Sequence, residues 1–204
     1  QQRGFFDGEI TPVKVPVRRK DPIVVSRDEH PRSDTTIDAL KRLKPFVKQD
    51  GTLTAGNSSG VNDGAAMLLL ASDDAVAKYD MNPMAKVIGT TVVGLEPTIM
   101  GMGPVPATQR LLGKLGVELA EIGVIEINEA FAAQSLACVR ELGLDIEKVN
   151  VNGGAIAIGH PVGSTGARLI CTALHELERQ DKNTALIAMC CGSAIGTGTI
   201  IERL

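Results

Sequence analysis

Apolar runs and amphipathic stretches alternate along the chain, most regularly beyond residue 84. Short runs rich in Val, Ile and Thr predict strands, and longer stretches with apolar residues three or four apart predict helices. The predicted strands span residues 85–95, 124–127, 184–190 and 197–202, and the predicted helices span residues 104–115, 129–142 and 164–179. Strands that alternate with helices of this length predict a layered α/β fold.

The first 60 residues have a different pattern, in which prolines separate short extended pieces. A single helix is predicted there, over residues 36–43, with Asp34 as its N-cap. This composition favours a lid or an inserted loop region. The apolar run 65–71 then predicts a buried strand, and Ser72 is expected to cap a short helix over residues 75–79.

Composition and charge exclude several classes of protein. The hydrophobic content of 44% excludes a disordered chain, and 21 basic against 24 acidic residues give a net charge of only -3. A protein that holds nucleic acid or a membrane surface by bulk charge needs a marked basic excess, so neither partner is expected. No apolar run approaches the roughly 20 residues of a membrane span, and the first residues do not begin a signal peptide. We therefore expect a cytoplasmic protein.

The four cysteines indicate neither a disulfide framework nor a metal site. They form no CxxC pair, and Cys190 and Cys191 are adjacent, a spacing that rarely forms a bridge. Long apolar segments supply a core without cross-links, so a reducing compartment and no bound metal are expected.

Asn128 lies where a predicted strand, Val-Ile-Glu-Ile, runs directly into a predicted helix. One interpretation is a helix N-cap, whose side chain accepts a backbone N–H bond. The other follows from its place at the carboxyl end of a sheet strand, where open α/β folds bind ligands. There the amide would face a substrate or hold a water.

Residues 150–166 form a glycine-rich segment around one histidine, His160. The segment has neither a Walker lysine nor GxGxxG spacing, so phosphate binding is not expected. Gly159 and Pro161 flank His160 directly before a helix, which gives the imidazole a rigid mount with room for close backbone approach. This setting favours a catalytic role over simple packing. His30 and His175 have no such setting and are assigned no catalytic role.

Cys190 ends a buried strand where the chain enters a second glycine-rich turn. A free cysteine is often only a small buried hydrophobic residue. Beside His160, however, its thiol pKa of about 8.5 would fall, and it would act as a nucleophile or as a general acid/base. Gly192 could then direct its backbone N–H at a developing oxyanion.

Three motifs together carry a resemblance to a known family. Asn-Glu-Ala-Phe from Asn128, Gly-His-Pro around His160 with its glycine frame, and Cys-Cys-Gly from Cys190 occur in the order and spacing of thiolases. Two further stretches, residues 54–65 and 100–104, agree with this. The chain resembles the carboxyl-terminal half of a thiolase, with a layered αβαβα fold. The resemblance assigns residues 1–60 to part of the CoA-binding loop domain, 61–82 to the last strand and helix of the amino-terminal half, and 83–204 to the carboxyl-terminal domain.

The resemblance implies a role for each motif in acyl transfer. His160 would help to activate a nucleophilic cysteine and, with a water held by Asn128, would form an oxyanion hole for the thioester carbonyl. Cys190 would exchange a proton with the carbon of the acetyl unit and with the CoA thiol. The N–H of Gly192 would contribute to a second oxyanion hole around the acyl-enzyme.

The resemblance also implies contacts with CoA, which is a substrate here, and no separate cofactor. Ser59, Met100, Phe131 and Ala130 would line the channel for its pantetheine arm, and Arg32 would lie near its adenine end. Without the resemblance, these residues would be taken as a turn residue, core residues and a solvated cation. Arg18, Arg19 and Lys20 are candidates for the CoA phosphates or form only a solvated charged face.

Two departures from the family pattern limit what the chain is expected to do alone. The acyl-accepting cysteine of thiolases belongs to the amino-terminal half, and no cysteine here stands in that motif. The expected partners are therefore that half, acyl-CoA and CoA. The resemblance also implies a homodimer or a homotetramer. In addition, Cys191-Gly192-Ser193-Ala194 replaces the usual run of glycines, so side chains are expected to narrow the pocket.

The segment Asp28-Glu29-His30-Pro31-Arg32 resembles most closely the thiolases that cleave 3-oxoadipyl-CoA, with acetoacetyl-CoA as the alternative substrate. The expected activity is thiolytic cleavage of a 3-oxoacyl-CoA. A hypothesis from a different class is a CoA-binding or structural subunit without catalysis. The presence of both His160 and Cys190 favours the enzyme.

Overall fold

A computed structural model describes residues 3–204 of the chain. In chain order its elements are β1 (Val13–Val17), β2 (Lys20–Val25), α1 (Ile37–Lys41), α2 (Asp73–Lys78), β3 (Ala85–Gly94), α3 (Pro104–Leu115), β4 (Val124–Ile127), α4 (Ala132–Glu141), α5 (Ala155–Ile158), α6 (Thr165–Arg179), β5 (Thr184–Cys191) and β6 (Ile195–Arg203). Short 3₁₀ turns cover Pro97–Met102, Leu119–Glu121 and Ile146–Lys148.

Four strands form a mixed sheet in the order β3-β6-β5-β4. β4 runs parallel to β5, with Ile127 opposite Ala188, whereas β6 is antiparallel to both of its neighbours. A parallel pair needs a long crossover connection, and here α4, α5 and α6 supply it. The carboxyl ends of β4 and β5 therefore lie side by side at one edge of the sheet.

Helices cover both faces of this sheet, because side chains alternate between the faces along each strand. On one face Leu111 of α3 packs with Ile125, Ile127, Leu186 and Ile200. On the other face α6 packs its apolar stripe against the sheet, in a cluster of Val124, Leu169, Ala173, Leu177, Ala185, Ile187 and Ile201. The layered α/β fold predicted from the sequence is confirmed.

The predicted helices are confirmed, with one displaced start. α3 has the predicted bounds, with Pro104 at its first turn and Gly116 in the left-handed conformation (φ 66°) at its end. α4 begins at Ala132, three residues later than predicted, because Phe131 is extended (φ -145°, ψ 143°). α1 is capped by Thr36, whose hydroxyl accepts the N–H of Ala39, so the prediction of Asp34 as its N-cap is wrong.

The expected buried strand over residues 65–71 is wrong in this chain. No strand forms there, and Met67, Leu69 and Leu70 are 90%, 80% and 77% exposed. A strand needs a neighbour to pair its backbone N–H and C=O groups, and no strand within residues 3–204 lies beside this segment. The helix that follows is confirmed as α2, with Ser72 as its N-cap.

The loop-rich region contains one regular element besides α1. β1 and β2 form an antiparallel hairpin whose tip is Arg18-Arg19, with Arg19 in the left-handed conformation (φ 61°). Within residues 3–204, no helix combines the length and the hydrophobicity needed to cross a membrane.

Candidate active site

Asn128 follows β4 directly and is almost completely buried, with 1% of its surface exposed. Its backbone N–H donates to the carbonyl of Ala188 at 3.0 Å, which extends the pairing of β4 with β5 by one residue. The N-cap interpretation is wrong, since the N-cap position of α4 is Phe131. The Asn128 side chain instead lies against His160, with Nδ2 3.4 Å from the imidazole Nε2.

The other amide atom of Asn128 is a free acceptor. Its Oδ1 is buried and accepts no hydrogen bond from the part of the chain that the structure describes. A buried polar atom without a partner costs stability unless a water or a ligand satisfies it. Asn128 therefore joins the histidine on one side and leaves an acceptor for a water or substrate on the other.

His160 lies in the loop between α5 and α6, held by hydrogen bonds at its backbone and its ring. Its N–H donates to Oδ1 of Asn62 at 3.0 Å, and its ring Nδ1 lies 2.8 Å from the hydroxyl of Thr165. Gly159 precedes it at φ 95°, a conformation that favours glycine. The rigid mount expected from the sequence is present.

The contacts of Thr165 define which ring nitrogen of His160 carries the proton. The Thr165 hydroxyl has one proton, which it donates to the carbonyl of Pro161 at 2.9 Å. It must therefore accept from the imidazole, so Nδ1 of His160 carries a hydrogen. The lone pair remains on Nε2, where the amide of Asn128 donates to it. This is the tautomer in which Nε2 can take a proton from a thiol.

Burial lowers the pKa of His160 below its ordinary value of 6.5, and the positive charge of Arg168 lowers it further. Both effects disfavour the imidazolium form. At neutral pH the ring is therefore neutral, as a general base must be.

Behind Asn128 lie a buried carboxyl group and a buried guanidinium group, those of Glu126 in β4 and Arg168 in α6. Glu126 and Asn128 are two residues apart on an extended segment, so they point to the same face of the sheet. The carboxylate and guanidinium lie 3.8 Å apart, an ion-pair distance that is too long for a hydrogen bond. Burial raises the pKa of Glu126 to about 8, although the charge of Arg168 opposes this effect.

Cys190 lies at the same edge of the sheet, two residues beyond the partner of Asn128 on β5. It is 8% exposed and pairs with Gly196 across the hairpin. Burial raises the pKa of its thiol to about 11, and the neighbouring thiol of Cys138 adds to the effect. The expectation that this pKa falls is wrong, since His160 is not among the groups that shift it. The cysteine is present as a thiol at neutral pH.

In the turn after Cys190, two residues other than glycine have a left-handed backbone conformation. Ser193 and Ala194 have φ values of 64° and 57°, which side chains other than glycine adopt at a cost. Gly192, whose N–H was assigned to an oxyanion hole, is exposed at the start of this turn. Glycine adopts this left-handed conformation without strain, which explains the glycines that the family usually has here. This sequence has Ser193 and Ala194 in their place.

A cavity of about 1380 Å³ opens beside the histidine loop, between that loop and the first 60 residues. Ser59 and Arg32 line it, as do Ile156 and Ala157 of α5. Its lining includes neither His160 nor Cys190, so the cavity does not contain these candidate catalytic groups. Its cations besides Arg32 are Arg3 and Arg27, rather than the basic residues at the tip of the β1–β2 hairpin.

The other residues assigned to CoA contact do not line this cavity. Ala130 accepts the N–H of Ser59 at 3.0 Å, and Phe131 pairs with Ser58 in an isolated bridge. Both are thus next to the cavity wall. Met100 is partly buried in the 3₁₀ turn before α3.

Within the described residues, no group of three or more His, Cys, Asp and Glu side chains is arranged to hold a metal ion. All four cysteines are free, including the adjacent pair. His30, which was assigned no catalytic role, has hydrogen-bond contacts with Ile156 and Asn62.

Three residues that support the site carried no role in the sequence interpretation. Asn62 binds the backbone of His160, and Thr165 binds its ring. Glu129 accepts from the N–H of Ile156 at 3.1 Å and from Asn150 at 3.2 Å, which anchors the start of α5. Each of the three is a polar residue within a motif rich in small residues, and this position could have identified them from the sequence.

Two domain models of one enzyme family match the chain. The model of the thiolase carboxyl-terminal domain matches residues 81–203, and that of the thiolase amino-terminal domain matches residues 1–74. The chain belongs to the thiolase family.

Its relatives include the beta-ketoadipyl-CoA thiolase of Acinetobacter baylyi, 53% identical over all of this chain and 51% of the relative. The acetyl-CoA acetyltransferase of Escherichia coli is 49% identical with the same coverage. The crystal structure of the Bacillus anthracis acetyl-CoA acetyltransferase superposes with a TM-score of 0.96 at 46% identity, over all of this chain and 51% of that one. The chain thus spans about half the length of the relatives it matches.

Proposed function

We propose that this chain supplies the proton-transfer half of a thiolase active site, which cleaves a 3-oxoacyl-CoA with CoA. The observation that carries the proposal is the pair of Asn128 and His160, 3.4 Å apart, at the sheet edge where β5 delivers Cys190. Family membership implies that the amino-terminal half provides the nucleophilic cysteine.

His160 acts first in the proposed sequence. Its Nε2 takes the proton of the nucleophilic cysteine, whose sulfur attacks the 3-oxo carbon. The resulting Nε2–H, together with a water held by Asn128, then donates hydrogen bonds to the oxygen of the thioester carbonyl, where negative charge develops when the carbon–carbon bond breaks. An oxyanion donor of this kind contributes roughly 3 to 4 kcal/mol to transition-state stabilisation.

Cys190 acts second, and its protonated state suits the cleavage direction. Breaking the bond between carbons 2 and 3 leaves the electron pair on carbon 2 of acetyl-CoA, and the thiol of Cys190 gives its proton to that carbon. The thiolate then takes the proton of incoming CoA, whose sulfur attacks the acyl-enzyme. That attack releases the nucleophilic cysteine as a thiolate, which takes its proton back from Nε2 of His160, and the proton from CoA has restored the thiol of Cys190. Gly192 would donate its N–H to the oxygen of the acyl-enzyme during this step.

For the substrate, we propose 3-oxoadipyl-CoA, with acetoacetyl-CoA as the alternative. The segment from Asp28 to Arg32 supports this choice, as do the names of two relatives that are 53% and 54% identical, both beta-ketoadipyl-CoA thiolases. The cavity lined by Arg3, Arg27 and Arg32 would hold CoA, whose phosphates need cations. We also propose that the whole protein forms dimers or tetramers. Its proposed location is the cytoplasm, with which the four free cysteines are consistent.

The test is thiolysis of both substrates by the protein that joins this chain to the amino-terminal half. We expect turnover by the wild type and its loss in Cys190→Ala, with acylation of the nucleophilic cysteine partly retained. Cys191→Ala, at the neighbouring position, serves as the control for loss of a thiol. CoA binding without turnover of either substrate would instead indicate a non-catalytic CoA-binding subunit, and equal loss of acylation and cleavage in Cys190→Ala would contradict the role of Cys190.

A further inference from the structure

His30, from the loop region, belongs to a line of three hydrogen bonds that joins Ile156 to His160. The ring Nε2 of His30 lies 3.3 Å from the carbonyl of Ile156, and its Nδ1 lies 3.2 Å from Nδ2 of Asn62. Asn62 Oδ1 then accepts the backbone N–H of His160 at 3.0 Å. The line therefore begins at Ile156 and ends at His160, so it bridges the two ends of the segment 156–160.

The two backbone groups fix the direction of every bond in this line. The Ile156 carbonyl can only accept, so Nε2 of His30 carries the proton and its Nδ1 carries a lone pair. The His160 N–H can only donate, so Asn62 presents its oxygen to His160 and its NH₂ group to His30. Each polar group thus has the one partner that its chemistry allows. His30 holds Asn62 in the orientation that His160 needs.

Two glycines allow the segments that carry His30, Asn62 and His160 to approach closely. A side chain at Gly159 would come within 2.7 Å of Asn62 Oδ1, and one at Gly60 would come within 2.5 Å of the His30 ring. Val61 also pairs with His160 in an isolated parallel bridge. The three segments therefore approach more closely than side chains at these glycines would permit.

His30 also lines the cavity proposed to hold CoA, as do Ile156 and Arg32. It is partly buried and belongs to the loop region, whereas His160 belongs to the main α/β layer. The imidazole of His30 thus lines the proposed CoA cavity and also contacts Asn62, which holds the backbone of His160.

We propose that His30 is a positioning residue, which acts through Asn62 to fix the backbone of His160 and thereby the aim of its imidazole. This inference rests on the proposed thiolase function for its kinetic consequence only. The hydrogen-bond line itself is independent of that function and can be measured separately.

Two variants of His30 separate this role from a general packing role. In His30→Asn, the side-chain oxygen can occupy the place of Nδ1 and still accept from Asn62, but the link to Ile156 is lost. In His30→Gln, the amide nitrogen can occupy the place of Nε2 and still donate to Ile156, but Asn62 loses its acceptor. Only the second variant frees Asn62 to turn.

The first measurement is hydrogen exchange at the amide of His160, in the protein that joins this chain to the amino-terminal half. We expect exchange to accelerate roughly tenfold in His30→Gln, as loss of one hydrogen bond implies, and to change little in His30→Asn. Equal acceleration in both variants, or none in either, would overturn the proposal.

The second measurement is thiolysis kinetics. We expect kcat to fall roughly tenfold in His30→Gln and only two- to threefold in His30→Asn, since a misaligned base slows the chemical step. A rise in KM of the same size in both variants, with kcat unchanged, would show that His30 only contacts the substrate and would overturn its positioning role. A wild-type protein without turnover would refute the proposed function, and hydrogen exchange alone would then decide the inference on His30.

Discussion

The carboxylate of Glu129 lies directly against the backbone of Gly154, in the space that a side chain at position 154 would occupy. From there it accepts the N–H of Ile156 at the start of α5, the short helix that leads to His160. Glu129 belongs to the same segment as Asn128. One contact therefore sets the distance between the two segments that carry the amide and the imidazole of the site.

Gly154→Ala tests this contact. The added methyl group must displace the Glu129 carboxylate, so we expect the free energy of unfolding to fall by about 1 to 3 kcal/mol, as overpacking usually costs. Gly113→Ala is the matched control, because Gly113 lies in α3 with open space around it. That change should leave stability unchanged or raise it by up to about 1 kcal/mol. Urea unfolding of both variants gives the comparison, and equal stabilities would contradict the packing argument.

Thr165→Val removes the hydroxyl that accepts from His160 Nδ1 and keeps the size of the side chain. Without this acceptor the ring proton can move from Nδ1 to Nε2. A protonated Nε2 cannot accept the proton of a thiol. We expect kcat for thiolysis to fall roughly ten- to a hundredfold, the range that loss of a hydrogen bond to a group that becomes charged implies. Nitrogen chemical shifts of the His160 ring report the tautomer directly.

Thr165→Ser is the control for this prediction, since it keeps the hydroxyl and loses only a methyl group. It should retain the Nδ1–H tautomer and most of the turnover. A valine variant with wild-type turnover and an unchanged tautomer would show that Thr165 only fills space at the start of α6.

The raised pKa of Glu126 predicts how the free energy of unfolding depends on pH. Its folded pKa of about 8 lies above the ordinary value of 4.5, so between these limits the folded state holds a proton that the unfolded chain has released. The stabilising effect is fully present below pH 4.5 and is lost as pH rises towards 8. The slope is at most about 1.4 kcal/mol per pH unit. Glu126→Gln should remove this contribution, since glutamine does not titrate.

Urea unfolding between pH 5 and pH 9 measures the effect. The stability of Glu126→Gln relative to the wild type should increase up to pH 8 and then stay constant. Glu202→Gln, on the exposed part of β6, controls for the loss of one carboxylate from the sheet. Parallel stability curves for the wild type and Glu126→Gln would refute the assignment.

Cys190 is predicted to react slowly with alkylating agents at neutral pH. Only the thiolate reacts, and with a pKa of about 11 roughly one thiol in a thousand is ionised at pH 8. We expect its rate of modification by iodoacetamide to rise about tenfold per unit between pH 8 and pH 10. Peptide mass spectrometry resolves Cys190 from the other cysteines, and glutathione in the same mixture gives the behaviour of an exposed thiol. Rapid labelling of Cys190 at pH 7 would contradict the raised pKa.

Local sequence signals were sufficient for most elements of the sheet and its helices. The bounds of α3 follow from Pro104 at one end and Gly116 at the other, and β4 is a short segment rich in Val and Ile between Gly123 and Asn128. Residues 65–71 show the limit of such signals. Their composition is that of a buried strand, but whether a strand forms depends on a partner that composition does not supply.

The sequence predicted the identity of site residues that stand in motifs. It did not predict the contacts between residues from distant segments. Asn128 and His160 were both identified, yet their contact spans 32 residues and depends on how the crossover returns. His30 shows why the rest was missed. Its partners Ile156 and Asn62 are 126 and 32 residues away, and nothing in its immediate neighbours distinguishes it from a surface histidine. The pKa of Cys190 was also missed, because burial outweighs any neighbour named from sequence.

Residues 57–62 form a strip that touches both halves of the site: Ser58 pairs with Phe131, and Val61 pairs with His160. Chimeras that join two relatives at a breakpoint between positions 57 and 160 would therefore divide the strip, or separate it from at least one of its two contact segments. Breakpoints outside this interval would inherit the strip and its two contact segments from a single parent, which makes them the better choice for recombination within the family.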